Sequence, residues 1–208
     1  MRQLYPDLWQ SEQGSHFGMD MRTYLLATDD GNVLLYYSNA PDEIAHIKTL
    51  GSPKYQYISH HHEFMPAMFA NLSDFDAIVC IHRNAVSYLK QDVDDMVIFN
   101  ETTQLSSRLK AIFTPGHTDN NMCFYYRSPF GKSYLFTGDT IYLDNGKWNF
   151  IVMPHDGGNY SDLKQSLMTL RQLEVDVIMP SVGVGGNRAV EVTQKEWHQI
   201  IDKLVERL

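Results

Sequence analysis

Cysteine is scarce in this chain of 208 residues, which contains only Cys80 and Cys123. Small secreted folds that depend on disulfides carry a much higher density of cysteine. This argues against a disulfide framework, and a disulfide between the two cysteines is the less favoured interpretation. Each cysteine lies inside an apolar run, AIVCIH or MCFYY, and we predict that both are buried as small hydrophobic side chains.

Long hydrophobic runs and clusters of basic residues are also absent. No apolar run approaches the roughly 20 residues of a membrane-spanning helix, and the N-terminal MRQLYPDLWQ lacks the apolar segment of a signal peptide. We therefore expect no membrane association and a cytoplasmic location. The 17 Lys and Arg against 25 Asp and Glu give a net charge of -8. Because phosphate backbones are bound by clustered basic side chains, we expect a small-molecule substrate and no nucleic acid.

Apolar residues make up 43% of the chain, which is enough to bury a core in one compact domain, 1–208. TYLLAT and VLLYYS, joined by the turn-forming DDGN, predict a β-hairpin. PDEIAHIKTL, with Pro41 at its start and Gly51 after its end, predicts a helix. A second helix is predicted in HEFMPAMFANL, and SDLKQSLMTLRQLE and QKEWHQIIDKLVERL predict helices capped by Ser161 and Thr193.

Further strands are predicted between these helices, in YQYIS, DAIVCIH, AIFTP, MCFYYRS, SYLFTG, WNFIVM and VDVIMP. Strands and helices alternate in both halves of the chain, with hairpins between them. This alternation predicts mixed sheets with helices on the outside, a layered α/β architecture.

Three loops each follow a predicted strand and carry side chains that bind metals. SHHH offers His60 and His62, TPGHTD offers His117, and TGDT offers Asp139. The ends of adjacent strands meet at one edge of a sheet, where α/β folds bind ligands. Three imidazoles around one ion leave an open position for water, as in catalytic zinc sites. Imidazole together with carboxylate suits zinc or iron.

The order of these loops resembles the metallo-β-lactamase superfamily over nearly the whole chain. The family pattern is Thr or Ser before His-x-His-x-Asp-His, then a Pro-Gly-His-Thr loop, a Gly-Asp-Thr loop and a Pro-Gly-His loop. ISHHHEFM matches the first motif in part, and TPGHTDNNMCFYY and LFTGDTIY match the next two closely. The resemblance implies an αββα four-layer sandwich, with two mixed β-sheets flanked by helices and a metal site at one edge between the sheets.

The departures from the family pattern fall on one half of its metal site. Phe64 and Met65 stand where the family has Asp and a third His, and Ser181 and Val182 stand where the last loop has Gly and His. Tyr36 stands where the family often has a buried Asp. Phe and Val cannot bind a cation, and the thioether of Met is a poor zinc ligand.

The resemblance implies which metal is kept. In the family, the first two His and the His of the next loop hold one ion, and the Gly-Asp-Thr carboxylate bridges it to a second. We therefore expect a single ion bound by His60, His62 and His117, with Asp139 as a fourth ligand or as a hydrogen-bond acceptor beside the ligands. His61 is interpreted as a spacer. The expected ion is zinc, with iron as the alternative.

Such a site predicts a metal-dependent hydrolase. Zinc lowers the pKa of a bound water to about 7, and the hydroxide attacks a carbonyl of an ester, thioester, lactone or amide. Asp139 is the expected catalytic residue, orienting the water or accepting its proton. The loss of the family Asp at Phe64 predicts a slow enzyme, because acid–base help is worth roughly 10²–10⁴-fold.

Two other functions stay open at this stage. His60, His117 and Asp139 form the ligand set of non-haem iron oxygenases, and the persulfide dioxygenases of the superfamily use that subset. Alternatively, the substitutions leave a non-catalytic scaffold that binds no metal. His155 in MPHDGGNY could supply a replacement ligand, although an exposed loop histidine is the simpler interpretation, and the same two interpretations apply to Asp156.

Overall fold

The computed structural model describes residues 1–12, 14–16, 18–38, 40–93, 95–186 and 188–208. Over these residues the chain forms eighteen strands and four α-helices. The helices are α1 Pro41–Leu50, α2 Pro66–Phe75, α3 Tyr160–Leu170 and α4 Gln194–Val205. The strands are β1 Arg2–Tyr5, β2 Leu8–Gln10, β3 Gly14–His16, β4 Met19–Met21, β5 Tyr24–Leu26, β6 Val33–Leu35, β7 Tyr55–Tyr57, β8 Ile78–His82, β9 Met96–Phe99, β10 Thr103–Gln104, β11 Leu109–Phe113, β12 Met122–Arg127, β13 Ser133–Gly138, β14 Tyr142–Asp144, β15 Lys147–Asn149, β16 Val177–Pro180, β17 Val182–Val184 and β18 Val190–Glu191.

Two large mixed sheets form the body of the molecule. The first has seven strands in the order β1-β2-β5-β6-β7-β8-β9, antiparallel up to β6 and parallel from β6 to β9. The second has six strands in the order β10-β11-β12-β13-β16-β18, in which only the β13–β16 pair is parallel. A third, five-stranded sheet, β15-β14-β17-β4-β3, was not predicted.

The two large sheets pack face to face, and their strands alternate between two cores. In β12, Phe124 and Tyr126 join the core between the sheets, whereas Cys123 and Tyr125 point to the other face. This period of two is what a strand buried on both faces requires. Cys123 and Cys80 are free and buried, as the sequence predicted.

Helices cover the outer face of each large sheet. Leu163, Leu167 and Leu170 of α3 pack with Trp197 and Ile201 of α4 on the second sheet. Ile47 of α1 and Phe75 of α2 pack on the first sheet, and Met68 of α2 joins a neighbouring cluster on the same sheet. The layers therefore run helix, sheet, sheet, helix, which confirms the predicted fold class.

Two local predictions were wrong in their details. The N-cap of α3 is Asn159, whose side chain accepts a hydrogen bond of 2.9 Å from the backbone of Asp162, and not Ser161. WNFIVM is a strand only up to Asn149. Beyond that point Met153 donates its backbone N–H to the carbonyl of His117 at 2.9 Å, which holds the segment 150–153 against the His117 loop. By contrast, Thr193 caps α4 in a capping box with Glu196, as predicted.

None of the helices in the described part of the chain is both long enough and apolar enough to span a membrane.

Candidate metal centre

The predicted ligands lie where three strands of the two large sheets end. His60 follows β7 and precedes a 3₁₀ turn at His61–Glu63. His117 lies in the loop between β11 and β12, and Asp139 directly follows β13. His60, His117 and Asp139 are exposed by only 2%, 2% and 8%, so the centre is buried at the edge between the sheets.

Glycine allows the loops to approach so closely. Gly138 has φ of +52°, and a Cβ built there would lie 2.4 Å from Oγ of Ser59. No other residue fits this contact without moving Ser59, which precedes His60. The glycine of the TGDT loop is therefore required by the distance between the two loops that carry His60 and Asp139.

Three imidazoles converge at this edge. One ligand nitrogen from each of His60, His62 and His117 lies within 4.8 Å of the others. The ring centroids of His60 and His117 are 4.7 Å apart, and those of His60 and His62 are 4.8 Å apart. Oδ2 of Asp139 lies 3.6 Å from Nε2 of His60 and 3.7 Å from Nε2 of His117. The structure thus brings together all four side chains that the sequence predicted as ligands.

The hydrogen bonds of His117 fix which nitrogen faces the centre. Nδ1 lies 3.0 Å from the carbonyl oxygen of Ile151 and therefore carries the proton. Nε2 is buried, and no atom of the described residues is a hydrogen-bond partner for it. Burial, assisted by the nearby His60, lowers the pKa of His117 to about 4, so the ring is neutral at physiological pH.

His60 is oriented by a serine and a buried glutamate that were not predicted from the sequence. Its Nδ1 lies 2.9 Å from Oγ of Ser59, which in turn donates to Oε1 of Glu63. Nε2 of His60 thereby points toward Asp139. Burial raises the pKa of Glu63 to about 8, and the charge of Asp139 adds to this rise. In the sequence, only the four-residue spacing of Ser59 and Glu63 could have indicated that these two side chains meet.

Asp139 is held ionised in spite of its burial. Burial alone would raise its pKa, but the neighbouring His60 and His117 and a hydrogen bond from Ser181 outweigh that effect and lower the pKa below its usual range. Oγ of Ser181 donates to Oδ1, which leaves Oδ2 directed at the imidazoles. Ser181, one of the departures from the family pattern, thus contacts the centre directly.

His61 and His62 meet on a second carboxylate, Asp156. Nε2 of His62 lies 3.0 Å from Oδ2 of Asp156, and Nε2 of His61 lies 3.4 Å from Oδ1. Burial would raise the pKa of Asp156, but the hydrogen bond and charge of His62, followed by those of His61, lower it. Asp156 therefore faces the histidines, whereas His155 beside it is exposed.

Apolar side chains occupy the positions of the missing donors. Phe64 and Met65 pack against the cluster around Met68 on the outer face of the first sheet. Val182 is 5% exposed and lines the space beside Asp139. Tyr36 is fully buried, and its hydroxyl donates to the carbonyl of Met179 at 3.1 Å and accepts from the N–H of Gly138 at 2.9 Å.

A cleft of about 260 Å³ opens onto His62, His117 and Asp139. Its remaining walls are the side chains of Met19, Tyr142, Ile151, Met153 and Val182. None of the described residues that line it is Lys or Arg. The cleft therefore offers an apolar surface next to the imidazoles of His62 and His117 and the carboxylate of Asp139.

Comparison with known proteins agrees with this architecture. A family model described as the metallo-beta-lactamase superfamily matches residues 41–182. A hydroxyacylglutathione hydrolase of Hydrogenovibrio crunogenus is 29% identical over 128 residues, which cover 59% of this chain and 41% of that protein. An atrochrysone carboxyl ACP thioesterase of Aspergillus fumigatus is 30% identical over 96 residues, which cover 46% and 25%. The chain thus aligns with less than half the length of these curated relatives.

Solved structures share the fold at low sequence identity. TTHA1623, solved in a di-iron-bound form, has a TM-score of 0.70 at 19% identity, covering 95% of this chain and 100% of that one. The Rm3 metallo-beta-lactamase has a TM-score of 0.65 at 18% identity, covering 90% and 87%. The archaeal protein ST1585 from Sulfolobus tokodaii has a TM-score of 0.63 at 18% identity, covering 90% and 79%.

Proposed function

The chain belongs to the metallo-β-lactamase superfamily, and from this we propose that it is a metal-dependent hydrolase with a single metal ion. The ion is held by His60, His62 and His117. Asp139 is either its fourth ligand or a carboxylate beside it. Zinc is the proposed ion, and iron is the alternative.

One observation carries the metal site. Nε2 of His117 is buried and has no hydrogen-bond partner among the described residues, while its Nδ1 is held by the Ile151 carbonyl. A buried polar atom without a partner costs about 1–3 kcal/mol. A metal ion bound to the lone pair of Nε2 removes this cost, and the donor set of neutral imidazoles and one carboxylate fits zinc or iron.

A single ion is proposed because of what surrounds it. Phe64 and Met65 pack into the cluster on the outer face of the first sheet, and Val182 lines the cleft together with Asp139. None of these three side chains is a good ligand for a hard or borderline cation. Among the described residues around the centre, the donors that remain are the three imidazoles, Asp139 and Glu63, and Glu63 accepts a hydrogen bond from Ser59 through Oε1.

When bound, the ion would supply a water of lowered pKa and would polarise a carbonyl oxygen. Asp139 is the proposed catalytic residue, because Ser181 holds one of its carboxylate oxygens and the other faces the imidazoles. That second oxygen is placed to orient an attacking water and to accept its proton. His117 and His60 are fixed in orientation through their Nδ1 hydrogen bonds.

The cleft supports an uncharged, apolar carbonyl substrate. Five apolar or aromatic side chains line it, and Asp139 is its only charged group among the residues that the structure describes. A phosphate or carboxylate group bound next to this carboxylate would find no basic partner among the lining residues. We therefore propose an ester, thioester, lactone or amide with an apolar acyl group. Thioesters come first, because one curated relative is named a thioesterase.

The experiment measures metal content and hydrolysis on the same preparations. The protein is purified with zinc or iron supplied, its metal is determined by elemental analysis, and it is assayed against chromogenic esters and thioesters of increasing acyl length. We expect about one ion per chain. Turnover should increase with acyl length until the acyl chain fills the cleft. The double variant His60→Ala, His117→Ala loses both the ion and the activity. His155→Ala, which changes an exposed histidine beside the site, keeps both.

Three results would contradict the proposal. If protein purified with metal supplied contains no metal above background, the non-catalytic scaffold is the function that remains. Two ions per chain contradict the single site. Iron with oxygen consumption on a thiol or persulfide, and no ester or thioester turnover, favours the oxygenase alternative, for which His60, His117 and Asp139 are the expected ligands.

A further inference from the structure

Asp156 contacts one of the proposed ligands from outside the centre. It lies in a 3₁₀ turn at Pro154–Asp156, which precedes α3. Its side chain is 24% exposed, and Oδ2 lies 3.0 Å from Nε2 of His62. The other carboxylate oxygen faces Nε2 of His61 at 3.4 Å. One carboxylate thus accepts from two adjacent imidazoles.

The tautomer of His61 is fixed by Asn120. Oδ1 of Asn120 accepts from the backbone N–H of His61 at 3.0 Å, which sets the orientation of the amide. Nδ2 of the same amide then lies 2.8 Å from Nδ1 of His61 and 2.8 Å from Oδ1 of Asp119. Because an amide nitrogen only donates, Nδ1 of His61 is the acceptor and Nε2 carries the proton. His61 therefore donates to Asp156.

This arrangement argues against a separate metal site at His61, His62 and Asp156, although their ligand atoms lie within 4.8 Å of one another. A metal on Nε2 of His61 needs a lone pair there, and Asn120 places that lone pair on Nδ1. The ring is also stacked on Tyr88, with centroids 3.7 Å apart. His61 is thus held as a hydrogen-bond donor.

We propose that Asp156 is a positioning residue for His62: it binds the Nε2–H of that ring and leaves Nδ1 as the nitrogen that ligates the metal. His61 holds the other oxygen of the carboxylate and keeps Asp156 turned toward His62. Hydrogen-bonded carboxylates of this kind fix the tautomer and orientation of metal-binding histidines, and their loss costs about 10–100-fold in metal affinity. The inference rests on the proposed metal site but not on hydrolysis.

Asp156→Asn is the most discriminating variant, because the oxygen of an amide accepts hydrogen bonds and its NH₂ group donates them. His61 offers only N–H, so it takes the oxygen of the introduced amide, and the NH₂ group of that amide is left facing His62. His62 then accepts at Nε2 and becomes protonated at Nδ1, which blocks that nitrogen. Asp156→Glu keeps two acceptor oxygens and serves as the conservative variant. Asp74→Asn, which removes an exposed carboxylate paired with Lys48 on the surface, is the matched control.

Two measurements test the proposal without any substrate. Long-range ¹H–¹⁵N correlation spectra of the metal-free protein report the tautomer of each histidine, and competition with a chromophoric chelator reports affinity for Zn²⁺. We expect Nε2–H for both His61 and His62 in the unaltered protein, and Nδ1–H for His62 in Asp156→Asn. Zinc affinity falls about 10–100-fold in Asp156→Asn, recovers at least in part in Asp156→Glu and is unchanged in Asp74→Asn.

Any of three results overturns it. One is Nδ1–H for His62 in the unaltered protein. Another is zinc affinity of Asp156→Asn within about twofold of the control, well short of the loss expected for such a partner. The third is a second zinc ion that is lost in both His61→Gln and Asp156→Asn, because Asp156 would then be a ligand itself. Protein that binds one zinc ion with the expected tautomers but hydrolyses nothing contradicts the proposed function and leaves this inference intact.

Discussion

The hydroxyl of Tyr36 and the backbone N–H of Gly138 form a hydrogen bond of 2.9 Å that joins the first sheet to the Asp139 loop of the second. The same hydroxyl donates to the carbonyl of Met179 at 3.1 Å. Tyr36 adopts φ of +69°, an unfavourable backbone conformation for a bulky side chain. The two hydrogen bonds give the tyrosine a role in this conformation: its hydroxyl holds Gly138, the residue that precedes Asp139.

Tyr36→Phe tests this connection. The variant leaves the N–H of Gly138 and the carbonyl of Met179 without their partner, which costs about 1–3 kcal/mol in the free energy of unfolding. Because Gly138 adjoins Asp139, we also expect weaker zinc binding. Urea unfolding and chelator competition measure the two effects. Tyr57→Phe is the control, since that ring stacks on Phe124 in the same core, and it changes neither quantity by more than about 0.5 kcal/mol. Equal effects in both variants would refute the role of Tyr36.

A second prediction separates backbone strain from the crowding at Gly138. Gly138→Ala places a methyl group 2.4 Å from Oγ of Ser59, whereas at Gly131, which has φ of +92°, nothing lies within 4 Å of the added Cβ. Both variants carry a positive-φ penalty of about 1–3 kcal/mol. Only Gly138→Ala also displaces Ser59 and, through it, His60. We expect zinc affinity to fall about tenfold or more in Gly138→Ala and to be unchanged in Gly131→Ala, as read by chelator competition. Unchanged affinity in both would show that the loops can separate without disturbing His60.

The sequence grouped the four predicted ligands but did not identify the groups that orient them. His60, His62, His117 and Asp139 follow strands, whose ends meet at one edge of a sheet, and the resemblance to the metallo-β-lactamase superfamily added the order of their loops. Their partners come from elsewhere: Asp156 lies 94 residues from His62, and the Ile151 carbonyl that holds His117 is a backbone group with no signature in the sequence.

The segment WNFIVM shows why the hydrogen-bond partners of the ligands cannot be predicted from local sequence. Its residues favour a strand, yet it leaves the sheet after Asn149, because two hydrogen bonds tie it to His117. Tertiary contacts overrode local preference at the point where the segment begins to line the cleft. Glu63 was likewise predicted to be part of a helix that continues into α2, although it lies in a separate buried turn beneath His60.

Metal removal gives a third prediction. A ligand that binds only the folded state stabilises it by about 2.7 kcal/mol at roughly one hundred times its dissociation constant. Zinc at that excess therefore raises the melting temperature, and a chelator such as EDTA reverses the rise. In His117→Ala the metal-free protein loses the hydrogen bond to the Ile151 carbonyl as well as the unpartnered nitrogen, so its own melting temperature is the baseline, and the response to zinc disappears. Calorimetric scans with and without zinc measure the melting temperature of the metal-free protein and its rise on zinc binding. A zinc-dependent rise that persists in His117→Ala would place the ion elsewhere.

The last prediction concerns acid stability and a histidine that is not among the proposed metal ligands. His82 is 3% exposed and stacks on Phe113 with centroids 4.2 Å apart. Nε2 contacts the carbonyl of Asn100, and Nδ1 accepts from the N–H of Asn84, so the ring is held in its neutral form. Burial, the largest cause, lowers its pKa below the ordinary 6.5.

The sign of the pH effect follows from linkage. Between the lowered folded pKa and the unfolded value of 6.5, the unfolded chain binds more protons at this site than the folded protein. The free energy of unfolding therefore falls as pH drops below about 6.5, and this contribution stops falling once pH is below the folded pKa. His82→Gln keeps a side chain that can donate and accept but does not titrate. Urea unfolding of the two metal-free proteins from about pH 8 to about pH 5 should show a smaller loss of stability in the variant. Parallel curves would mean that His82 titrates alike in both states, which its buried stacking on Phe113 argues against.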